Sequence, residues 1–151
     1  MKIHLDIDES YEETEITIKC KKLDEQILEL QKYLKRNTST IAVFKDQTEY
    51  YLDLHEVLFF ETDLKEVIAH TRNDAYHTDY RLYELEDILP ISYLRISKSA
   101  IVNTDKIFAL TRSMSTCLIE FQDTIKHVYA SRQYYKPLKL KLEERRTSYY
   151  E

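Results

Sequence analysis

Leu94-Arg-Ile-Ser-Lys-Ser-Ala-Ile-Val-Asn-Thr-Asp-Lys-Ile107 is the stretch on which the reading of this chain turns. Arg95 to Ser99 interleave two cations with two hydroxyls and hold no carboxylate, and an apolar anchor, Ala100-Ile101-Val102, follows at once. Serine hydroxyls suit phosphate oxygens, whereas Lys and Arg take a phosphate or reach the acceptor edge of guanine. The chemistry is that of an anion-facing surface. A second acid-free patch, Ser131-Arg-Gln-Tyr-Tyr-Lys136, comes directly after a predicted strand, and Arg132 and Gln133 are residue types able to contact bases through two hydrogen bonds.

Outward from these patches the chain reads as short strands separated by polar turns. Residues 40–45, 49–52, 57–61, 66–71, 75–80, 107–110, 117–121 and 126–130 are rich in β-branched and aromatic residues. Eight such strands in about ninety residues argue for an all-β core. Leu82, Leu85, Ile88 and Leu89 recur at helical spacing and stop at Pro90, which predicts one short helix between the strand groups. A further short helix is expected from about Pro137, ahead of a frayed tail. The 13 Tyr and 5 Phe are read as strand fillers in a core without Trp rather than as stacking platforms for bases.

Residues 1–40 read as an accessory unit. Ile3, Leu5 and Ile7, then Ile16 and Ile18, alternate with polar residues and predict two strands. Leu23, Ile27, Leu30 and Leu34 then form one stripe of a helix of about three turns, suited to packing on a neighbour in the same chain or another. Asn37-Thr-Ser-Thr40 is the linker. The expected division is thus 1–40 accessory, 41–142 core domain and 143–151 flexible tail.

Not one of the 151 residues is glycine, where an average composition supplies about ten. P-loops, G-x-G-x-x-G turns and G-x-S-x-G elbows are therefore excluded, and hairpin turns must fall to Asp and Asn, as in 45–48, 72–74 and 122–124. Cys20 and Cys117 are isolated, with no C-x-x-C pair, and the N-terminus lacks the apolar core of a signal peptide. A reducing cytoplasm is the expected compartment. His70 and His77 are placed to face each other across the Arg72-Asn-Asp74 turn, but a strand histidine is more often a surface residue than a ligand. No metal, cofactor, small-molecule substrate or catalysis is expected.

The formal charge of −5 conceals an asymmetry. Residues 1–40 carry 7 basic and 9 acidic side chains, residues 41–92 carry 4 and 12, and residues 93–151 carry 11 and 6. A basic end on an acidic protein attracts a polyanion to one side and orients the encounter.

From about Ile41 to Leu142 the chain resembles the LytTR-type DNA-binding domains of bacterial transcription regulators. The resemblance rests on Val57-Leu-Phe-Phe-Glu61, Ile68-Ala-His70, Leu94 to Ile107, and Tyr129-Ala-Ser-Arg132, arriving in order. It implies an elongated stack of small antiparallel sheets with a short helix, whose loops enter successive major grooves of promoter DNA. Carried over, the loop after Glu61 with Lys65, the Ser97-Lys98 loop with Arg95 and Ser99, and the segment Ser131, Arg132, Gln133 and Lys136 face double-stranded DNA. The family's central loop often carries His-Arg or His-Asn where this chain has Ser97-Lys98, and a basic or small polar residue is common where Gln133 stands. The groove geometry should transfer and the base sequence should not. Asn103 is expected to shape the turn into the next strand.

The N-terminal unit is too short for a receiver domain and lacks its acidic phosphorylation pocket, and a single domain of this size touches few base pairs, so a homodimer on repeated sites is expected. The resemblance to stand-alone regulators of the family also implies restraint by a small integral-membrane protein. The competing expectation is a non-enzymatic interaction module whose basic end meets an acidic partner, with the Leu23 to Leu34 stripe as its contact.

Overall fold

The computed structural model describes residues 2, 4–35 and 40–147. Helix α1 (Glu25–Lys35) precedes strands β1 (Thr40–Lys45), β2 (Thr48–Asp53), β3 (Phe59–Asp63), β4 (Glu66–His70) and β5 (Ala75–Thr78). Helix α2 (Leu82–Ile88) follows, then β6 (Tyr93–Ser97), β7 (Ala100–Asn103), β8 (Ile107–Arg112), β9 (Thr116–Phe121), β10 (His127–Ser131) and helix α3 (Arg132–Thr147). All pairings are antiparallel, in a seven-stranded sheet of order β2-β1-β5-β4-β3-β7-β6 and a three-stranded sheet of order β10-β9-β8. The mostly-β expectation holds. No helix among the described residues is long and apolar enough to cross a membrane.

Alternation across β3 and β7 splits the apolar residues between two cores. Phe59, Ala100 and Val102 meet Ile119, Phe121, Val128 and Leu138 of the small sheet and α3. Phe60 and Ile101 point the other way, to Val43, Val67, Leu82 and Leu85 under α2. The middle of the large sheet is therefore covered on both faces.

The turns manage without glycine as expected in two places and otherwise in a third. Asp46 (φ 57°) and Gln47 (φ 79°) make the two-residue β1–β2 turn, and Asp123 (φ 59°) shapes the β9–β10 connection. Leu64 (φ 56°) does the same between β3 and β4, where no turn-forming residue type announces it. The 72–74 turn closes by hydrogen bonds instead, with the Thr71 and Asp74 main chains bonded at 3.0 Å and Asp74 N donating to Thr71 Oγ1. Asn103 fulfils its expected role. Its Oδ1 accepts from Asp105 N at 3.2 Å, opening the 3-10 turn Thr104–Lys106, while its Nδ2 donates to Val57 O at 3.1 Å.

Several expectations are corrected. The two N-terminal strands do not form: residues 4–24 contain none, and Ile3 and the linker residues 37–39 lie outside the described residues. Leu5, Ile7 and Ile16 are 78%, 89% and 62% exposed, and two short strands rich in carboxylates have no third strand or helix to cover them. The helix at Leu23–Leu34 is present, but it starts at Glu25, with Asp24 Oδ1 accepting from Ile27 N, so Leu23 stays outside it. The three expected helices are all present among the described residues, and the last differs in its bounds. Helix α3 begins at Arg132, five residues before Pro137, and runs through the segment 143–147 expected to be tail. Its apolar face is the reason, since Leu138 is fully buried and Leu142 packs on the same core. His70 and His77 do not face each other: register sets His70 against Ala75 and His77 against Ile68.

The far end of the β3–β4 hairpin is tied to the small sheet. His70 stacks on Phe59 at 4.4 Å between centroids, pairs with Glu61 at 2.8 Å, and meets Lys126 Nζ at 3.3 Å through Nδ1. Lys126 also donates to the Asp74 carbonyl, and Asp74 pairs with Lys45 at 2.7 Å. Thr124 Oγ1 donates to Arg72 O at 2.8 Å.

Two outcomes are expected. Asn103→Ala strands the Asp105 amide and costs about 2 kcal/mol in urea denaturation. Burial holds the His70 imidazole below its ordinary 6.5 against the opposing pull of Glu61, with Lys126 adding to the depression. The unfolded chain then takes up the proton first, so stability present at neutral pH is lost as pH falls below about 6.5 through the folded value. The urea midpoint should drop over that range, and His70→Gln should flatten the drop.

Candidate nucleic-acid interface

Two tips lie side by side because β7 fixes its neighbours. Strand β3 pairs with β7 up to Glu61 opposite Ala100, and Thr62 N donates to Ser99 O at 2.8 Å, which sets the β3–β4 tip beside the β6–β7 tip. Strand β10 follows Lys126, which is bonded to His70 and Asp74, packs on β6 and leads through Ser131 into Arg132 of α3.

The β6–β7 turn is built by Arg95. Its Nε donates to Ser97 O at 2.7 Å, one terminal nitrogen to Lys98 O at 2.5 Å, and the other to Glu86 of α2. The Arg95 guanidinium thus braces the turn from within and ties it to α2. Ser97 Oγ accepts from Ser99 N at 3.1 Å and approaches Ser99 Oγ at 3.3 Å, which leaves Lys98 at the apex, exposed and without an ion pair among the described residues. A bulge between Arg95 and Ser97 adds local twist at the same place.

The patch after β10 is a helix start, not a loop. Ser131 ends the strand half-buried, and Arg132, Gln133 and Lys136 lie exposed in the first turns of α3. Lys139 follows on the same helix, also exposed. Lys65 is exposed at the β3–β4 tip, but Asp63 and Glu66 flank it, so this is the least basic of the three elements.

Two participants escaped the sequence reading. The β8–β9 turn forms a hollow with α3 that is lined by Arg112, Ser113, Ser115, Arg132 and Tyr135, and the Arg112 guanidinium sits 4.2 Å from the centre of the Tyr135 ring. The run Thr111-Arg-Ser-Met-Ser-Thr116 mixes a cation with hydroxyls and has no acid, the same signal as Arg95 to Ser99. Leu64 is the other: 94% exposed, at positive φ, on the tip beside Lys65. No sequence signal marks it, because leucine is neither a turn former nor a polar contact.

The metal reading finds no geometry here. His70 is held by Glu61, and His77 by Glu66 at 2.9 Å. No group of three or more His, Cys, Asp or Glu suited to a metal occurs among the described residues.

Two packed antiparallel sheets that display exposed cations on a turn and a helix start suit contact with a polyanion. The LytTr DNA-binding domain model matches residues 47–143, and the chain belongs to that family. It is 30% identical over 144 residues to an uncharacterised HTH-type transcriptional regulator of Staphylococcus aureus strain bovine RF122 / ET3-1, covering 94% of this chain and 98% of that protein. The counterpart from strain NCTC 8325 / PS 47 is 29% identical over the same length and coverage. The fold is similar to the solved LytTr DNA-binding domain of a methyl-accepting/DNA response regulator from Bacillus cereus, with a TM-score of 0.65 and 23% identity over 70% of this chain and 98% of that one. The protein is a DNA-binding transcription regulator. Among the described residues no two α-helices follow one another without an intervening strand, so a helix-turn-helix is not part of this fold.

Leu64→Asn, which suits positive φ better, should leave stability unchanged or raise it by up to about 1 kcal/mol. A thermal melt of the variant checks this.

Proposed function

We propose that the chain binds double-stranded promoter DNA in a sequence-specific manner, with the β3–β4 tip, the β6–β7 tip and the first turns of α3 entering the major groove. The observation that carries this reading is the exposure of Lys98 and Arg132, each in an acid-free stretch and neither in an ion pair among the described residues. Lys98, Arg132 and Gln133 read base edges, and Lys136, Lys139, Lys65 and the hydroxyls of Ser99 and Ser131 hold phosphates. Arg95 and Ser97 act indirectly, by holding the turn that presents Lys98. Arg112 of the adjacent hairpin adds a phosphate contact, and Leu64 offers an apolar tip to a thymine methyl.

One domain of this size reaches few base pairs, so two copies on a repeated site supply useful specificity. The work belongs in the cytoplasm, needs no cofactor, and involves no catalysis. Restraint by a membrane-bound partner is compatible with it, with helix α1 as the docking element.

The test is fluorescence anisotropy with a duplex from upstream of the protein's own gene and a scrambled control, each at several salt concentrations. Preferential binding that weakens steeply with salt is expected, and the slope counts phosphate contacts. Lys98→Ala and Arg132→Ala should each lower affinity by about 1–3 kcal/mol with unchanged circular dichroism. Unchanged affinity in both variants removes the site assignment, and no binding at low salt favours the interaction-module reading.

A further inference from the structure

A cleft of about 260 Å³ lies between α2, β6 and α3, beside the turn that carries Lys98. Leu89, Pro90, Ile91 and Leu94 give it apolar walls, and Glu86, Arg95 and Lys141 supply its charges. Glu86 neutralises Arg95, whereas Lys141 has no carboxylate partner among the described residues. One positive charge is left uncompensated beside apolar surface, and Ile91, 51% exposed, stands open to solvent.

These features select a ligand by size and charge. The volume is just below the usual range for small-molecule pockets, so the occupant is compact. Its body is apolar, to cover Leu89, Pro90, Ile91 and Leu94. It carries a single negative charge for Lys141, because a polyanion such as a nucleotide would also meet Glu86. We propose that the cleft is an effector site for a small amphipathic carboxylate.

Arg95 gives such a site a route to DNA. The same guanidinium belongs to the cleft lining and, on its other side, donates to the carbonyls of Ser97 and Lys98. A carboxylate held at Lys141 lies in the same cleft as the Glu86–Arg95 pair, repels Glu86 and so unsettles the guanidinium that braces the turn carrying Lys98. By linkage, DNA and the carboxylate weaken one another's binding by the same factor. This second half rests on the DNA-binding reading above, whereas the site itself does not.

The probe is octanoate, titrated calorimetrically into the full chain, with octanol as the uncharged comparison. One saturable octanoate site is expected, with octanol about tenfold weaker, the loss that accompanies removal of one charge-assisted hydrogen bond. Lys141→Gln and Ile91→Glu, both surface changes checked for folding by circular dichroism, should each weaken octanoate by about as much. Saturating octanoate should then lower duplex affinity at least threefold in the unaltered chain and leave it unchanged in Lys141→Gln. Absence of a saturable site, or octanoate binding that neither variant weakens, overturns the assignment. A second copy seated on the cleft would appear in sedimentation as a dimer that Ile91→Glu dissociates, and it overturns the assignment as well. Saturable binding without change in duplex affinity overturns the coupling alone. A chain that binds octanoate as described but no duplex at any salt supports the site and removes the DNA reading, so the two failures are distinguishable.

Discussion

Both hydrophobic cores meet on the four residues Ala100 to Asn103. All four side chains are buried, Ala100 and Val102 toward the small sheet and Ile101 toward α2. Because side chains alternate with period two, a slip of one residue would exchange the two sets and expose neither core to its proper partner. Asn103 closes the strand with the bonds of its side chain and an amide bond to Leu58 O at 2.8 Å. Tyr93 reinforces the same corner by donating to Leu54 O at 2.6 Å and Val57 O at 3.1 Å, and burial drives its hydroxyl well above the usual phenol range. The positions of the β3–β4 and β6–β7 tips follow from that register.

The cations divide the labour. Some are exposed, with no ion pair among the described residues, and stay available to a polyanion. In another group His70, Glu61, Lys126, Asp74 and Lys45 satisfy one another and clamp the sheets together. The basic balance of residues 93–151 is thus not spread evenly: Lys126 and Arg145 are used internally, the latter on Thr104 O at 2.5 Å, while Lys98, Arg132, Lys136 and Lys139 are displayed.

The strands with ordinary alternation were legible from sequence, as were the turn at Asp46 and the helix ended by Pro90. Strand β7 was seen only as an apolar anchor, because a strand covered on both faces loses its alternation. Its neighbour β6 was read for its charges and not as a strand, and its bulge interrupts the pairing. Pro137 suggested a helix start, as proline often marks the first helical position, and so hid the true start at Arg132. The N-terminal alternation misled for the opposite reason: a period-two pattern specifies a strand only if something is present to cover it. At the candidate interface, residue types identified Lys98 and Arg132 but could not separate them from Arg95. Composition gives a cation in each case, and only the fold shows which carbonyls consume it.

The lack of glycine has a consequence for how a duplex is fitted. At the candidate interface Leu64 holds positive φ despite its side chain, and the β6–β7 turn is cross-braced by Arg95. Connections of this kind have fewer alternative conformations than glycine loops, so little entropy remains to be lost on contact. Such a surface also yields little. Adjustment at an imperfect fit then falls to the nucleic acid, and base steps that kink easily become part of what is recognised, including at positions no side chain touches.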